Sequence, residues 1–225
     1  MPQEQFRFQV EGHATSGVWT APHGDARALL VLGHGIANDR EHFLLRGLLE
    51  DLAERGFAGV RFNYPFKEEN RRDLDGKQVQ FETFLAAMDV GRRKLGVDVP
   101  LVIGGKSLSA RIAAALQAES RVAQGLVYLG FPLHRADATE RLKDRHVRML
   151  QVPQLFVAGD RDPLCHLELL RGVLDSLESS WTLHVLEDAD HSLGVSAQGD
   201  DVRSRETVAR IAGWIEDFIG FLGGA

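Results

Sequence analysis

Leu101-Val102-Ile103-Gly104-Gly105-Lys106-Ser107-Leu108-Ser109-Ala110 is the stretch on which the fold of this chain turns. Its first residues are apolar without alternation, the pattern of a strand covered on both faces. Its end passes into a run rich in helix-forming alanine: Ala110, Ala113, Ala114 and Ala115. Between them, Gly105-Lys106-Ser107-Leu108-Ser109 is one residue short of G-x-S-x-G. In that motif a strand turns into a helix so sharply that the serine takes a strained backbone conformation. Small residues two before and two after the serine avoid a clash. Ser109 is small enough to be tolerated there, although glycine would be more relaxed. The plainer reading is that Ser107 caps the helix, since serine is a favoured N-cap.

Outward from this stretch the same alternation repeats. Upstream, residues 6–20 read as two short strands around Gly12, and 28–33 as a buried strand entering Gly33-His34-Gly35. A helix over 41–55 stops at Gly56, and a strand over 57–63 closes at Tyr64-Pro65. Residues 66–77 are charged and read as a surface loop, followed by a helix over 78–95. Downstream come a helix over 108–118, a strand over 126–129, a helix over 137–149, a strand over 154–159, a helix over 166–177, a strand over 181–186 and a helix over 204–222. A hairpin followed by repeated β-α units predicts a mostly parallel, doubly wound central sheet with helices on both faces. Chemistry in such sheets gathers beyond the carboxyl ends of the strands.

Composition narrows the class further. The chain has 225 residues, of which 44% are hydrophobic and 26% charged, as in an ordinary globular protein. No linker, repeat or low-complexity stretch divides it, so a single domain over 1–225 is expected. Lys and Arg number 26 against 32 Asp and Glu, a net charge of −6. That balance speaks against nucleic acid or an anionic membrane as partner. No run of eighteen apolar residues predicts a membrane span. The polar start, Met1-Pro2-Gln3-Glu4-Gln5, does not read as a signal peptide. Cys165 is the sole cysteine and cannot form an internal disulfide, which fits a cytoplasmic location. It reads as a structural thiol.

A serine needs a base to remove its proton, and the base needs an acid to orient it. In this topology the order is serine, acid, histidine. The strand 154–159 ends in Gly159-Asp160-Arg161-Asp162-Pro163, and the strand 181–186 in Glu187-Asp188-Ala189-Asp190-His191-Ser192. Ser107 is therefore the candidate nucleophile and His191 the candidate base. Asp162 is favoured over Asp160 as the acid, because it stands further out, where a side chain can reach across. Asp188 and Asp190 read as turn or surface residues. Oxyanion donors are expected from the backbone N–H of Leu108, after the serine, and of Ile36, in the first strand–helix loop. His34 reads as a hydrogen-bonder shaping its Gly-rich turn, while His134 and His166 could line a pocket. No spacing resembles a zinc site, and neither a metal nor a cofactor is expected.

These motifs resemble the α/β-hydrolase superfamily, and most closely its compact bacterial dienelactone-hydrolase-like group with a serine nucleophile. The resemblance rests on Gly33-His34-Gly35, Arg61-Phe62-Asn63-Tyr64-Pro65-Phe66 with Arg71-Arg72, and Gly105-Lys106-Ser107-Leu108-Ser109-Ala110-Arg111. It continues through Gly130-Phe131-Pro132-Leu133-His134, Gly159-Asp160-Arg161-Asp162-Pro163 and Asp190-His191-Ser192. It spans about residues 27–195, with the final helix in place. It implies an α/β-hydrolase fold, a triad of Ser107, Asp162 and His191, and hydrolysis of carboxylic esters or related acyl compounds. Ser109 departs from the usual glycine, and Ser107 from the cysteine of true dienelactone hydrolases. Residues 131–153 are too few for a cap domain, so an open site for a small-molecule acyl substrate is expected, on a monomer or homodimer.

Three other readings compete. Gly105-Lys106-Ser107 ends like a P-loop, but that motif's first glycine would fall at Pro100. Gly33-His34-Gly35 imitates a dinucleotide loop, but lacks the third glycine and the acid on the next strand, which ends at Asn63. A non-catalytic binding module on the same fold is the more serious alternative, because fold does not fix function.

Overall fold

Each apolar run becomes a strand of one eight-stranded sheet. The computed structural model describes residues 3–196, 198–199 and 201–223. The strands are β1 (Gln3–Val10), β2 (His13–Thr20), β3 (Ala28–Gly33), β4 (Phe57–Phe62), β5 (Leu101–Lys106), β6 (Gly125–Leu129), β7 (Gln154–Gly159) and β8 (Trp181–Leu186). Their order across the sheet is β1-β2-β4-β3-β5-β6-β7-β8. The hairpin β1–β2 is antiparallel, β2 joins β4 antiparallel, and every other pair is parallel. This is the doubly wound arrangement that the unalternated strands imply.

The helices are α1 (Phe43–Glu54), α2 (Pro65–Glu68), α3 (Lys77–Leu95), α4 (Leu108–Ser120), α5 (Arg145–Arg148), α6 (Leu167–Leu174) and α7 (Val202–Leu222). Strand side chains alternate between two cores. Leu29 and Val31 of β3 join Phe62, Phe84, Ile103 and Ala113 on one face, while Leu30 and Leu32 join Leu48, Val102, Val157 and Ile211 on the other. Each face is apolar, so no polar period of two survives in the sequence. The alanines of α4 are fully buried at Ala110 and Ala113, letting the helix that carries the motif serine lie close to the sheet.

Register brings the functional ends together. Gly33 of β3 pairs with Gly105 of β5, and Lys106 pairs with Leu129 of β6. The loops that follow these strands therefore open onto one edge.

Two expectations need correction. The helix expected over 137–149 is only α5. Arg135 bridges Ala138 and its guanidinium binds the Asp137 carboxylate, so local polar pairing holds a turn there; of α5 only Val147 is buried. The charged loop expected over 66–77 begins with α2, which has Pro65 in its first turn, and it is anchored inward. Phe66 and Asp75 are buried, and Asp75 accepts a hydrogen bond from the Phe66 N–H at 3.0 Å. Among the described residues α5 is the only helix between β6 and β7, and no separate cap domain is inserted there.

Candidate active site

The turn from β5 into α4 is strained at the serine itself. Ser107 has φ 52° and ψ −104°, a conformation that non-glycine residues rarely adopt. Gly105 makes the turn possible: its φ is 140°, and a Cβ there would overlap the Gly33 backbone of β3. The Ser107 hydroxyl makes no capping bond to α4, so the plainer reading of this serine does not hold. Its hydroxyl lies 2.9 Å from His191 Nε2 instead.

His191 sits in the loop after β8, and its Nδ1 lies 2.8 Å from Asp162 Oδ2 in the loop after β7. The carboxylate can only accept, so Nδ1 carries the proton and leaves Nε2 to accept from the Ser107 hydroxyl. The Asp162 side chain is fully buried, whereas that of His191 is 23% exposed. The other Asp162 oxygen accepts the Leu164 N–H at 2.8 Å, which fixes the carboxylate in the plane it needs. The alternative acid, Asp160, is exposed and accepts the Ala189 N–H at 3.3 Å, a loop-shaping contact. Asp190 accepts from the N–H and hydroxyl of Ser192, and Asp188 pairs with Arg161. The three expected residues thus form one chain of hydrogen bonds, and the three neighbouring aspartates turn elsewhere.

The loop after β3 closes the other side. Gly35 lies against Ser107: a Cβ on it would stand 3.4 Å from Ser107 Cβ. Ile36 follows, 54% exposed, and its backbone N–H has no acceptor among the described residues. Leu108 opens α4, where first-turn N–H groups lack intrahelical acceptors. Leu108 is thus the serine's neighbour in the chain, and Ile36 follows the glycine that packs against it.

Behind the elbow lies a second polar cluster that the sequence reading only partly foresaw. His34 is fully buried, its Nδ1 2.7 Å from the Gly35 carbonyl, and its Nε2 accepts the Tyr64 N–H at 3.3 Å. Burial pushes the imidazole down to about 4, against the opposing pull of that Gly35 bond. Ser109 donates to the His34 carbonyl at 2.7 Å and lies 2.9 Å from the Tyr64 hydroxyl. A Cβ on Gly33 would overlap the Ser109 side chain. The serine at the usual glycine position therefore fills room that Gly33 leaves. The glycine at 33 was the one available signal.

His134 and His166 meet each other between two loops. His134 is buried, accepts the His166 N–H at 3.0 Å and packs its ring against that of His166. It ties the loop after β6 to the acid loop. Cys165 is buried, and burial, with Asp162 adding to it, pushes its thiol up to about 12. It is an inert structural thiol at neutral pH. No group of three or more His, Cys, Asp or Glu side chains among the described residues is placed to hold a metal ion. No helix among them is long and apolar enough to cross a membrane.

A family model described as an alpha/beta hydrolase domain matches residues 26–220. The chain belongs to this family. Its fold also matches solved hydrolase structures at low identity. An alpha-beta serine hydrolase homologue from Coxiella burnetii is 19% identical, with 92% of this chain and 96% of that one covered and a TM-score of 0.71. A lidless α/β serine hydrolase from Xanthomonas campestris is 17% identical, covering 96% and 92%, with a TM-score of 0.71. Est1E from Butyrivibrio proteoclasticus is 14% identical, covering 98% and 99%, with a TM-score of 0.73. In this hydrolase-family chain the strained serine stands at the carboxyl edge of β5, a central strand of the sheet.

Proposed function

We propose that this protein is a serine hydrolase that cleaves carboxylic esters or related acyl compounds of small molecules. The observation that carries the reading is the unbroken hydrogen-bond chain from Ser107 through His191 to Asp162. His191 Nε2 takes the Ser107 proton as Oγ attacks the acyl carbonyl carbon. Asp162 holds the imidazole in the tautomer that can do this and stabilises the imidazolium. The Ile36 and Leu108 N–H groups donate to the oxyanion of the tetrahedral intermediate. Collapse breaks the bond to the leaving alcohol, which receives the proton from His191. Water, deprotonated by His191, then attacks the acyl-enzyme; the acid leaves and the Ser107 hydroxyl is restored.

The lack of a cap between β6 and β7 supports small or flexible substrates that reach Ser107 from solvent. The reaction as drawn needs neither metal nor cofactor, and we read it as cytoplasmic chemistry of one domain, monomeric or homodimeric. The test is labelling with a fluorophosphonate probe. Wild type should label, and Ser107→Ala and His191→Ala should not. A folded wild type that neither labels nor hydrolyses p-nitrophenyl acetate would favour a binding module.

A further inference from the structure

Lys106 ends β5 and immediately precedes Ser107. The centre of a sheet covered on both faces is an expensive place for an ammonium group. Yet the residue is only 5% exposed, and its Nζ donates to the backbone carbonyl of His191 at 3.0 Å. The contact joins the residue beside the serine to the backbone of the base. The charged and titratable groups around Lys106 come from three loops. Asp162 belongs to the loop after β7, Asp190 and His191 to the loop after β8, and His42 to the loop before α1. Burial pushes the ammonium below the ordinary lysine range, and the two aspartates draw it back. Its charge is felt around the site, since His42 is pushed down to about 4 by burial first and by Lys106 second.

We propose that Lys106 is a positioning residue for His191. It clamps the base's backbone to the strand that carries the serine, and its charge favours the neutral imidazole that can accept the Ser107 proton. The second effect is Coulombic: a cation beneath the site disfavours a second positive charge on the ring. The inference rests on reading Ser107 as nucleophile and His191 as base.

The test uses Lys106→Gln, which keeps a donor but loses the charge, and Lys106→Arg, which keeps the charge. The kcat/KM–pH profile is measured with p-nitrophenyl acetate. The His191 ring is titrated by NMR, with its signal assigned by its loss in His191→Gln. In Lys106→Gln the acid limb of the profile and the ring titration should both move up by about one pH unit. Its kcat should fall about tenfold. Lys106→Arg should keep the wild-type limb. An unmoved ring titration in Lys106→Gln, or an equal shift in Lys106→Arg, overturns the proposal. If Lys106→Gln does not fold, Lys106→Met is the second neutral variant, with the same shift expected. The NMR titration needs no turnover. A wild type that hydrolyses nothing would therefore defeat the hydrolase reading, while the ring titration still decides whether Lys106 acts on His191.

Discussion

Ser107 and Ser109 are two residues apart, and each sits in a cluster with a histidine, yet the clusters have opposite characters. His191 meets a carboxylate on one ring nitrogen and a serine hydroxyl on the other, and it is partly open to solvent. His34 spends both ring nitrogens on backbone groups and is sealed in the core. Ser107 is held in a strained conformation with its hydroxyl facing the base, while Ser109 lies in a relaxed helix and gives its proton to a main-chain carbonyl. The difference shows that a serine beside a histidine is not in itself a reactive site. Reactivity needs a carboxylate to orient the ring, a free nitrogen and an exposed path. A ring whose partners are all backbone is a crossbeam.

The widest gap between the clusters should appear in turnover. Ser107→Ala should lower kcat on a small ester by about 10⁴-fold or more, with an unchanged melting temperature. Ser109→Ala should lower it by less than about tenfold. Equal losses from the two variants would erase the distinction.

The acid sharpens it next. Asp162→Asn should cost about 10³–10⁴-fold in kcat, because the amide can favour the wrong imidazole tautomer. Asp160→Asn, which disturbs only the contact to the Ala189 N–H, should cost less than about tenfold. A larger effect at Asp160 would reassign the acid.

The crossbeam should reveal itself in the pH dependence of stability. His34 titrates near 4 when folded and near its ordinary 6.5 when unfolded. Between these values the unfolded chain binds the proton and the folded one does not. Stability is therefore full above about 6.5 and falls as the pH drops toward 4. The span of about 2.5 units corresponds to up to roughly 3 kcal/mol from His34. His42, also pushed down to about 4, adds in the same direction. Urea midpoints at pH 7.5 and 5.0 measure the fall, and His34→Gln should flatten it. Carboxylates of ordinary affinity are still ionised at pH 5, so a drop in this window belongs to histidines. Identical slopes in wild type and His34→Gln would mean that His34 is not sealed.

The architecture was readable because it depends on local patterns that survive without partners. Residues 28–33, 101–104 and 154–159 announce covered strands by their lack of alternation. The order of Ser107, Asp162 and His191 follows from loops that each begin where a strand ends. What stayed hidden depends on contacts between distant segments. The Lys106 ammonium binds a carbonyl 85 residues away, and an acceptor on the main chain leaves no mark in side-chain identity. The Tyr64–Ser109 bond spans 45 residues. The helix expected over 137–149 failed for the converse reason: its composition allowed a helix, but a turn bridging Arg135 and Ala138 occupies its start and only Val147 of α5 finds a place in the core.

Ser109 offers the finest test, because the two ends of its bond to Tyr64 are unequal. Tyr64 is fully buried, and Ser109 is its hydroxyl's one partner among the described residues. Ser109→Ala strands that hydroxyl and should cost about 1–3 kcal/mol. Tyr64→Phe leaves Ser109 its bond to the His34 carbonyl and should cost only about 0.5–1.5 kcal/mol. Ser109→Gly restores the usual elbow residue but also strands Tyr64, and it empties the space that Gly33 opens. It should therefore destabilise at least as much as Ser109→Ala. Thermal and urea unfolding of the three variants gives the order. If Ser109→Gly instead proved more stable than wild type, the elbow would be strained at position 109, and the serine there would not be the keystone that its bonds to His34 and Tyr64 make it.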